Sequence, residues 1–201
     1  MILLSGCLVK SLHPYYTNKD VIYNKELIGT WTDKDSSVWL IEQGYQNSGF
    51  MKSEIPDSSY AITYTNSEGS AKFVAHLFQL DGHLYIDFFP SEISCGNDLA
   101  GFHLIAAHSL AKVELTGGNI IIHWYNEQWL INLFNENKIK IAHERLPYEP
   151  GQTDPESMQI ILSAQTDELQ KFIRKYGEDP EAFKKGTSEF DRDYTFVLSR
   201  K

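Results

Sequence analysis

The residues best suited to acid–base chemistry are a histidine and an aspartate that the sequence places opposite one another. Asp81-Gly82 is a strong signal for a two-residue hairpin loop, and such a loop pairs His76 with Asp87 across two strands. A carboxylate beside an imidazole orients the ring and raises its basicity. The same pair on a sheet surface is an ordinary ion contact, and we favour that interpretation while keeping His76 and Asp87 as catalytic candidates.

Other chemistry finds less support in the residue types and their spacing. Ser109 is the one obvious nucleophile whose strand parity sets it in an inward-facing group, yet nothing brings it near His76, and a Gly-x-Ser-x-Gly elbow is missing. The remaining histidines are scattered, and no His/Cys spacing fits a metal site. We therefore expect no metal, no cofactor and no enzymatic activity. A hydrolase or isomerase that uses His76 and Asp87 is the less favoured alternative.

The first residues bear on location. Leu4-Ser5-Gly6-Cys7 resembles a bacterial lipobox, in which small residues precede a cysteine that becomes lipidated and N-terminal. The resemblance implies a lipid anchor at Cys7 and a translation start upstream of Met1. Leu8 stands where an aspartate would signal inner-membrane retention, so the implied destination is the outer membrane. The alternative is a soluble N-terminal strand at residues 2–4 followed by a buried Cys7.

Length and charge limit the remaining possibilities. The chain has 201 residues and a net charge of −9, so nucleic acid is a poor partner. We expect residues 1–20 to comprise the signal remnant, the anchor and a short tether, and residues 21–201 to form a single β-rich domain. Cys95 is then an odd thiol in a loop, to which we assign no role.

Alternating or apolar runs separated by turn residues predict an antiparallel, mainly β fold. The predicted strands are residues 37–43, 60–65, 71–80, 83–89, 103–115, 119–125 and 138–143, with a final strand at 194–199. Two hairpins are specified by register. Asp81-Gly82 pairs Leu80 with His83, with Phe73, Ala75, Leu77, Leu84, Ile86 and Phe88 on the core face. Gly117-Gly118 pairs Leu115 with Ile120 and Val113 with Ile122.

Helices are expected late in the chain. Asn126 is a suitable N-cap for a short helix that carries Trp129, Leu130 and Leu133 on one face. Thr166 is predicted to cap an amphipathic helix that ends at Gly177, and Asp179-Pro180 to start another short helix. Residues 147–155 are predicted to form a loop.

Gly29-Thr30-Trp31, early in a β-rich chain, resembles the Gly-x-Trp signature of lipocalin-like barrels. In that family the tryptophan plugs the closed end of an antiparallel barrel, and a late helix packs on the outside. The resemblance implies a lipocalin-like barrel or strongly bent sheet with short helices near the C-terminus. The helix expected after Asn126 departs from the family pattern, because it interrupts the strands. The plan from lipobox to late helix also resembles uncharacterised envelope lipoproteins of Gram-negative bacteria.

Aromatic residues make up 13% of the chain; some of them belong to the core, and the rest are available to line a ligand cavity. Aromatic and apolar walls with a few polar groups are typical of small-molecule sites. The sequence candidates for such a site are Phe78, Tyr85, His103 and Ser109. We expect a lipid-anchored envelope protein that binds a small apolar ligand or an envelope partner. The alternative is a structural or interaction module whose barrel is filled with side chains.

Overall fold

The computed structural model describes residues 8–47, 54–92, 103–147, 158–183 and 195–201. The strands are β1 (Lys10–Ser11), β2 (Gly29–Thr32), β3 (Val38–Asn47), β4 (Glu54–Asn66), β5 (Gly69–Leu80), β6 (His83–Pro90), β7 (His108–Thr116), β8 (Asn119–Trp124), β9 (His143–Pro147), β10 (Met158–Leu162) and β11 (Thr195–Arg200). The α-helices are α1 (Glu127–Asn135) and α2 (Thr166–Tyr176). Two 3-10 helices lie at Lys25–Leu27 and Pro180–Phe183.

Eight of the strands close into an antiparallel barrel. Their order is β6-β5-β4-β3-β2-β11-β8-β7, and pairing of β6 with β7 closes the ring. Every neighbouring pair is antiparallel. The predicted mainly β, lipocalin-like barrel is confirmed, with α2 near the C-terminus as expected.

Both predicted hairpins have the predicted registers. Leu80 pairs with His83 and His76 with Asp87, while Leu115 pairs with Ile120 and Val113 with Ile122. All four loop residues have positive φ: 50° and 89° at Asp81 and Gly82, and 58° and 80° at Gly117 and Gly118. Two successive positive φ angles define the type I′ turn, whose twist matches that of the flanking strands.

The barrel interior is a continuous apolar core because alternate residues of each strand point inward. Its buried members are Leu27, Trp31, Trp39, Ile41, Tyr60, Ile62, Ala75, Leu77, Ile86, Phe88, Ala111, Val113, Ile120, Ile122, Trp124 and Leu198. The 3-10 helix at Lys25–Leu27 lies at one end of the barrel and adds the buried Leu27 to this core, and the indole N–H of Trp31 donates to the Leu27 carbonyl at 2.9 Å. The Arg200 guanidinium lies 4.6 Å from the centre of the Trp31 ring. Trp31 is thus held to the segment before β2 and to the end of β11.

A second core lies outside the barrel. The small sheet β1-β10-β9 extends from the start of β7, and α1 and α2 pack with it against the outward face of β5, β6 and β7. Buried side chains there include Val9, Phe78, Leu80, Tyr85, Leu110, Trp129, Leu130, Ile160, Leu162, Leu169, Phe172 and Ile173. Phe78 and Tyr85 are thus buried on the barrel's outer face rather than inside it.

Residues 8–20 differ from the tether that we expected. Val9 is 1% exposed and its N–H donates to the Tyr125 carbonyl, and β1 pairs with β7 on one side and β10 on the other. Tyr15 is fully buried. Apolar residues at positions 8, 9, 15 and 16 supply enough burial to fold this segment onto the domain.

Several local predictions need correction. The strand expected at 103–115 begins only at His108, and the strand expected at 138–143 begins only at His143, where β9 pairs with β10. Gln165, not Thr166, is the N-cap residue of α2, because the Thr166 hydroxyl donates to the Pro14 carbonyl at 2.8 Å. Three predicted features lie outside the described residues: Tyr194, the two cysteines Cys7 and Cys95, and most of the loop at 147–155.

Candidate functional site

The carboxylate of Asp87 is engaged by other partners than the predicted one. Asp87 lies directly opposite His76 in the register, and its side chain is 1% exposed. Its Oδ1 is 2.7 Å from Nδ1 of His108, and its Oδ2 accepts the Tyr15 N–H at 2.9 Å. The predicted neighbourhood is therefore present, but the imidazole that contacts Asp87 belongs to β7.

His76 is held by stacking. Its ring is 4.4 Å from the centre of the Tyr16 ring, with 24° between the planes. Burial lowers the pKa of His76 below its ordinary value, although Asp87 and Asp57 act in the opposite direction. This shift favours the neutral imidazole, which has a lone pair that can accept a hydrogen bond. Within the part of the chain that the structure describes, His76 forms no hydrogen bond.

The remaining sequence candidates do not converge. Ser109 faces the barrel interior opposite Phe88, as its parity predicted, whereas His108 beside it faces outward. His103 is exposed on the segment before β7. Phe78 and Tyr85 stack at 5.6 Å in the second core, where the Tyr85 hydroxyl donates to Glu178 at 3.1 Å. Among the described residues, no hydroxyl forms a hydrogen bond with His76 or His108, so nucleophilic chemistry gains no geometric support.

Aromatic side chains gather at the barrel end opposite the 3-10 helix at Lys25–Leu27, and we call this the aromatic end. Its members are Trp39, Tyr64, Phe73, Phe88, Trp124 and Phe196. Phe88 lies 4.7 Å from Trp124 and 5.9 Å from Phe73, and Trp39 lies 4.7 Å from Tyr64 and 6.0 Å from Phe196, measured between ring centres. Tyr64, Phe73 and Phe196 are only partly buried. Polar side chains are present at this level. Ser109 lies on the interior face, Oδ2 of the buried Asp33 accepts the Trp39 indole N–H at 3.1 Å, and the hydroxyl of the buried Ser37 accepts from the Tyr64 hydroxyl at 3.2 Å.

Below the aromatic end the barrel interior is filled. Ile62, Leu77, Ile86, Ile122 and Leu198 are each no more than 2% exposed. Side chains at this level come from neighbouring strands and close the space between them. This level of the barrel interior therefore has no room for a ligand.

Sequence reasoning missed two parts of this arrangement. His108 is on the same face as Leu110 and Lys112, but its approach to Asp87 depends on the β6–β7 pairing, which spans a long connection. Hairpin turn signals carry no information about such pairings. The aromatic end could have been predicted from the sequence in part, because the register of the Asp81-Gly82 hairpin places Phe73 and Phe88 on the same face and at the same end of the strands.

Metal and membrane criteria give no candidates within the described ranges. In those ranges no group of three or more His, Cys, Asp or Glu side chains is arranged to hold a metal ion. Neither α1 nor α2, nor any other described helix, is long and apolar enough to cross a bilayer.

The fold and the aromatic end define an eight-stranded, antiparallel, lipocalin-like β-barrel with a helical second layer. No family model, curated protein or solved structure matches the chain.

Proposed function

We propose that this chain is a lipid-anchored protein of the bacterial envelope that binds a small apolar ligand at the aromatic end and performs no chemistry on it. Ligand binding is supported by three partly exposed aromatic side chains, Tyr64, Phe73 and Phe196, which lie above the filled part of the barrel. Aromatic walls with a few polar side chains, Ser109, Asp33 and Ser37, suit a ligand with an apolar body and a polar head.

The proposed anchor is Cys7, which follows Leu4-Ser5-Gly6 and is implied by the lipobox resemblance. Leu8 forms a β-bridge with Asn126, so only one peptide bond separates Cys7 from the first paired residue. Acylation of Cys7 would hold the domain directly at the membrane surface, with little freedom to move away from it. Leu8 directly after the cysteine supports the outer membrane as the destination.

The anchor is tested by mass spectrometry of protein made from its own gene start in the native host. We expect a mature N-terminus at an acylated Cys7 and recovery in the membrane fraction, whereas Cys7→Ser stays unacylated. Intact residues 1–6 in mature, unacylated protein would contradict the anchor.

The ligand site is tested with cis-parinaric acid, a fluorescent fatty acid, added to the purified domain. We expect saturable binding with energy transfer from tryptophan, and at least tenfold weaker binding in Phe196→Glu, because a carboxylate at the aromatic end repels the probe's head and opposes apolar contact. Val197→Glu is the matched control, since Val197 is the next residue and is 46% exposed.

A filled barrel that serves as an interaction module is the second candidate. The near-complete burial of Ile62, Leu77, Ile86 and Ile122 favours it. Failure of the wild-type domain to bind the probe, combined with co-purification of an envelope protein, would replace ligand binding by this second function.

A further inference from the structure

A polar cleft lies outside the barrel, between the N-terminal segment and the outer face of β4 and β5. It is lined by Asn18, Val21, Asp57, Ser58 and His76 and has a volume of about 220 Å3. Liquid water takes about 30 Å3 per molecule, so the cleft has room for several waters or one small organic molecule. It is separate from the aromatic end.

The polar side chains of this cleft have few partners in the protein. Oδ1 of Asp57 accepts the Ser59 N–H at 2.8 Å and the Ser59 hydroxyl, which fixes the carboxylate. No described residue bonds to Oδ2 of Asp57, to the imidazole of His76, or to the side chains of Asn18 and Ser58. Asn18 and Ser58 are exposed and Asp57 and His76 are partly buried, so these polar groups are open to a solvent or small ligand molecule that can bond to several of them at once.

The lone pairs of these groups set the chemistry of the occupant. Asp57 supplies a negative charge, and among the described residues no lysine or arginine lines the cleft. His76 is held in place by Tyr16, and burial keeps the pKa of its imidazole low, so at neutral pH the ring accepts a hydrogen bond from a cation without repelling it. The cleft therefore favours a cationic occupant with several N–H donors.

We propose that this cleft binds the primary ammonium group of a small organic cation. An –NH3+ group has three donors, which suit Oδ2 of Asp57, the imidazole of His76 and one of the oxygens of Asn18 and Ser58. A bare metal ion fits less well, because Asp57 and His76 are the only strong metal ligands in the described lining and most metal sites use three or more protein ligands. The ammonium group can belong to a free amine or to an ethanolamine head group.

The test is an NMR titration of the purified domain with ethanolamine, putrescine and glycerophosphoethanolamine, with ethylene glycol as the uncharged comparison. We expect chemical-shift changes confined to residues around the cleft for the amines, and at least tenfold weaker binding of ethylene glycol. Glycerophosphoethanolamine binding as tightly as ethanolamine identifies a head-group source. If putrescine binds and glycerophosphoethanolamine does not, the occupant is a soluble amine.

Two variants make the test specific. Asp57→Asn keeps an oxygen acceptor for Ser59 and removes the charge, so we expect a folded protein that binds amines at least tenfold more weakly. Asp35→Asn is the control, because it removes an equal charge at the exposed β2–β3 turn. His76→Phe retains the stacking on Tyr16, removes both ring nitrogens and should also weaken binding.

The pH dependence follows from the groups around His76, which are Asp57 on β4, Asp87 on β6, His108 on β7 and Tyr16 on the N-terminal segment. Protonation of His76 adds a like charge, and burial lowers the pKa of His76, so amine binding should weaken only at a pH below the ordinary pKa of histidine. His76→Phe should abolish this weakening. Equal binding in wild type and Asp57→Asn, equal affinity for ethylene glycol, or binding of Zn²⁺ without any binding of amines would overturn the proposal.

Discussion

Asp87 shows how a single buried carboxylate joins three distant parts of the chain. It lies on β6, accepts the backbone N–H of Tyr15 from the N-terminal segment, and contacts His108 on β7. A charge that is 1% exposed is tolerated only when hydrogen bonds replace the water it has lost. We therefore assign Asp87 a structural role that exceeds the cross-strand contact expected from sequence.

Asp87→Ala should lower the free energy of unfolding by about 3 kcal/mol, because it leaves the Tyr15 N–H and the His108 ring without their buried partner. His76→Ala should cost less, about 1 kcal/mol, since it removes a partly buried ring that stacks on Tyr16. Guanidinium unfolding at pH 7 measures both. Equal costs for the two variants would show that the Asp87 contacts add no more than an ordinary surface pair.

The secondary-structure elements were predictable wherever local chemistry determines them. The two glycine hairpins were correct in register because the type I′ turn and the two-residue alternation leave no room for a slip. The predicted N-cap of α2 is wrong, because the Thr166 hydroxyl donates to the Pro14 carbonyl instead of capping the helix. The β6–β7 closure and the His108–Asp87 contact depend on long-range pairing that no local signal specifies.

Gly82 and Gly177 each lie at the end of an element, and each is required for a different physical reason. Substituting each glycine by alanine distinguishes the two reasons. Gly82 has φ of 89° and open space where a Cβ would lie, so Gly82→Ala should cost about 1 kcal/mol through backbone strain alone. Gly177 ends α2 with an ordinary φ of −65°, but a Cβ there would lie 2.5 Å from the Ile173 carbonyl oxygen and 2.8 Å from the Tyr85 hydroxyl.

Gly177→Ala should therefore cost more, about 2–3 kcal/mol, because the end of α2 must move away from the barrel. Thermal unfolding of both variants provides the measurement. The reverse order of costs would indicate that α2 can shift on the barrel without loss of packing.

At the scale of the whole molecule, the two cores share the same strands. The inward side chains of β5, β6 and β7 build the barrel core, while the outward side chains Phe78, Leu80, Tyr85 and Leu110 build the second core with α1 and α2. Residues 8–20 contact both, since Leu8 packs on the barrel core and Val9 and Tyr15 belong to the second. Loss of either core should therefore destabilise the other, and the chain should unfold as one unit.

Val9 tests this coupling, because it lies two residues after Cys7 and is nevertheless 1% exposed. Val9→Ala should lower the free energy of unfolding by about 1–3 kcal/mol through lost burial and the cavity left behind. Tryptophan fluorescence and far-UV circular dichroism should follow the same denaturant transition, shifted to a lower midpoint with an unchanged slope. Lys19→Ala, at an exposed residue of the same segment, should leave the free energy of unfolding within about 0.5 kcal/mol of wild type. If residues 8–20 acted as a tether, Val9→Ala would change the free energy of unfolding as little as Lys19→Ala does. A lower midpoint of the denaturant transition in Val9→Ala means instead that residues 8–20 belong to the folded unit.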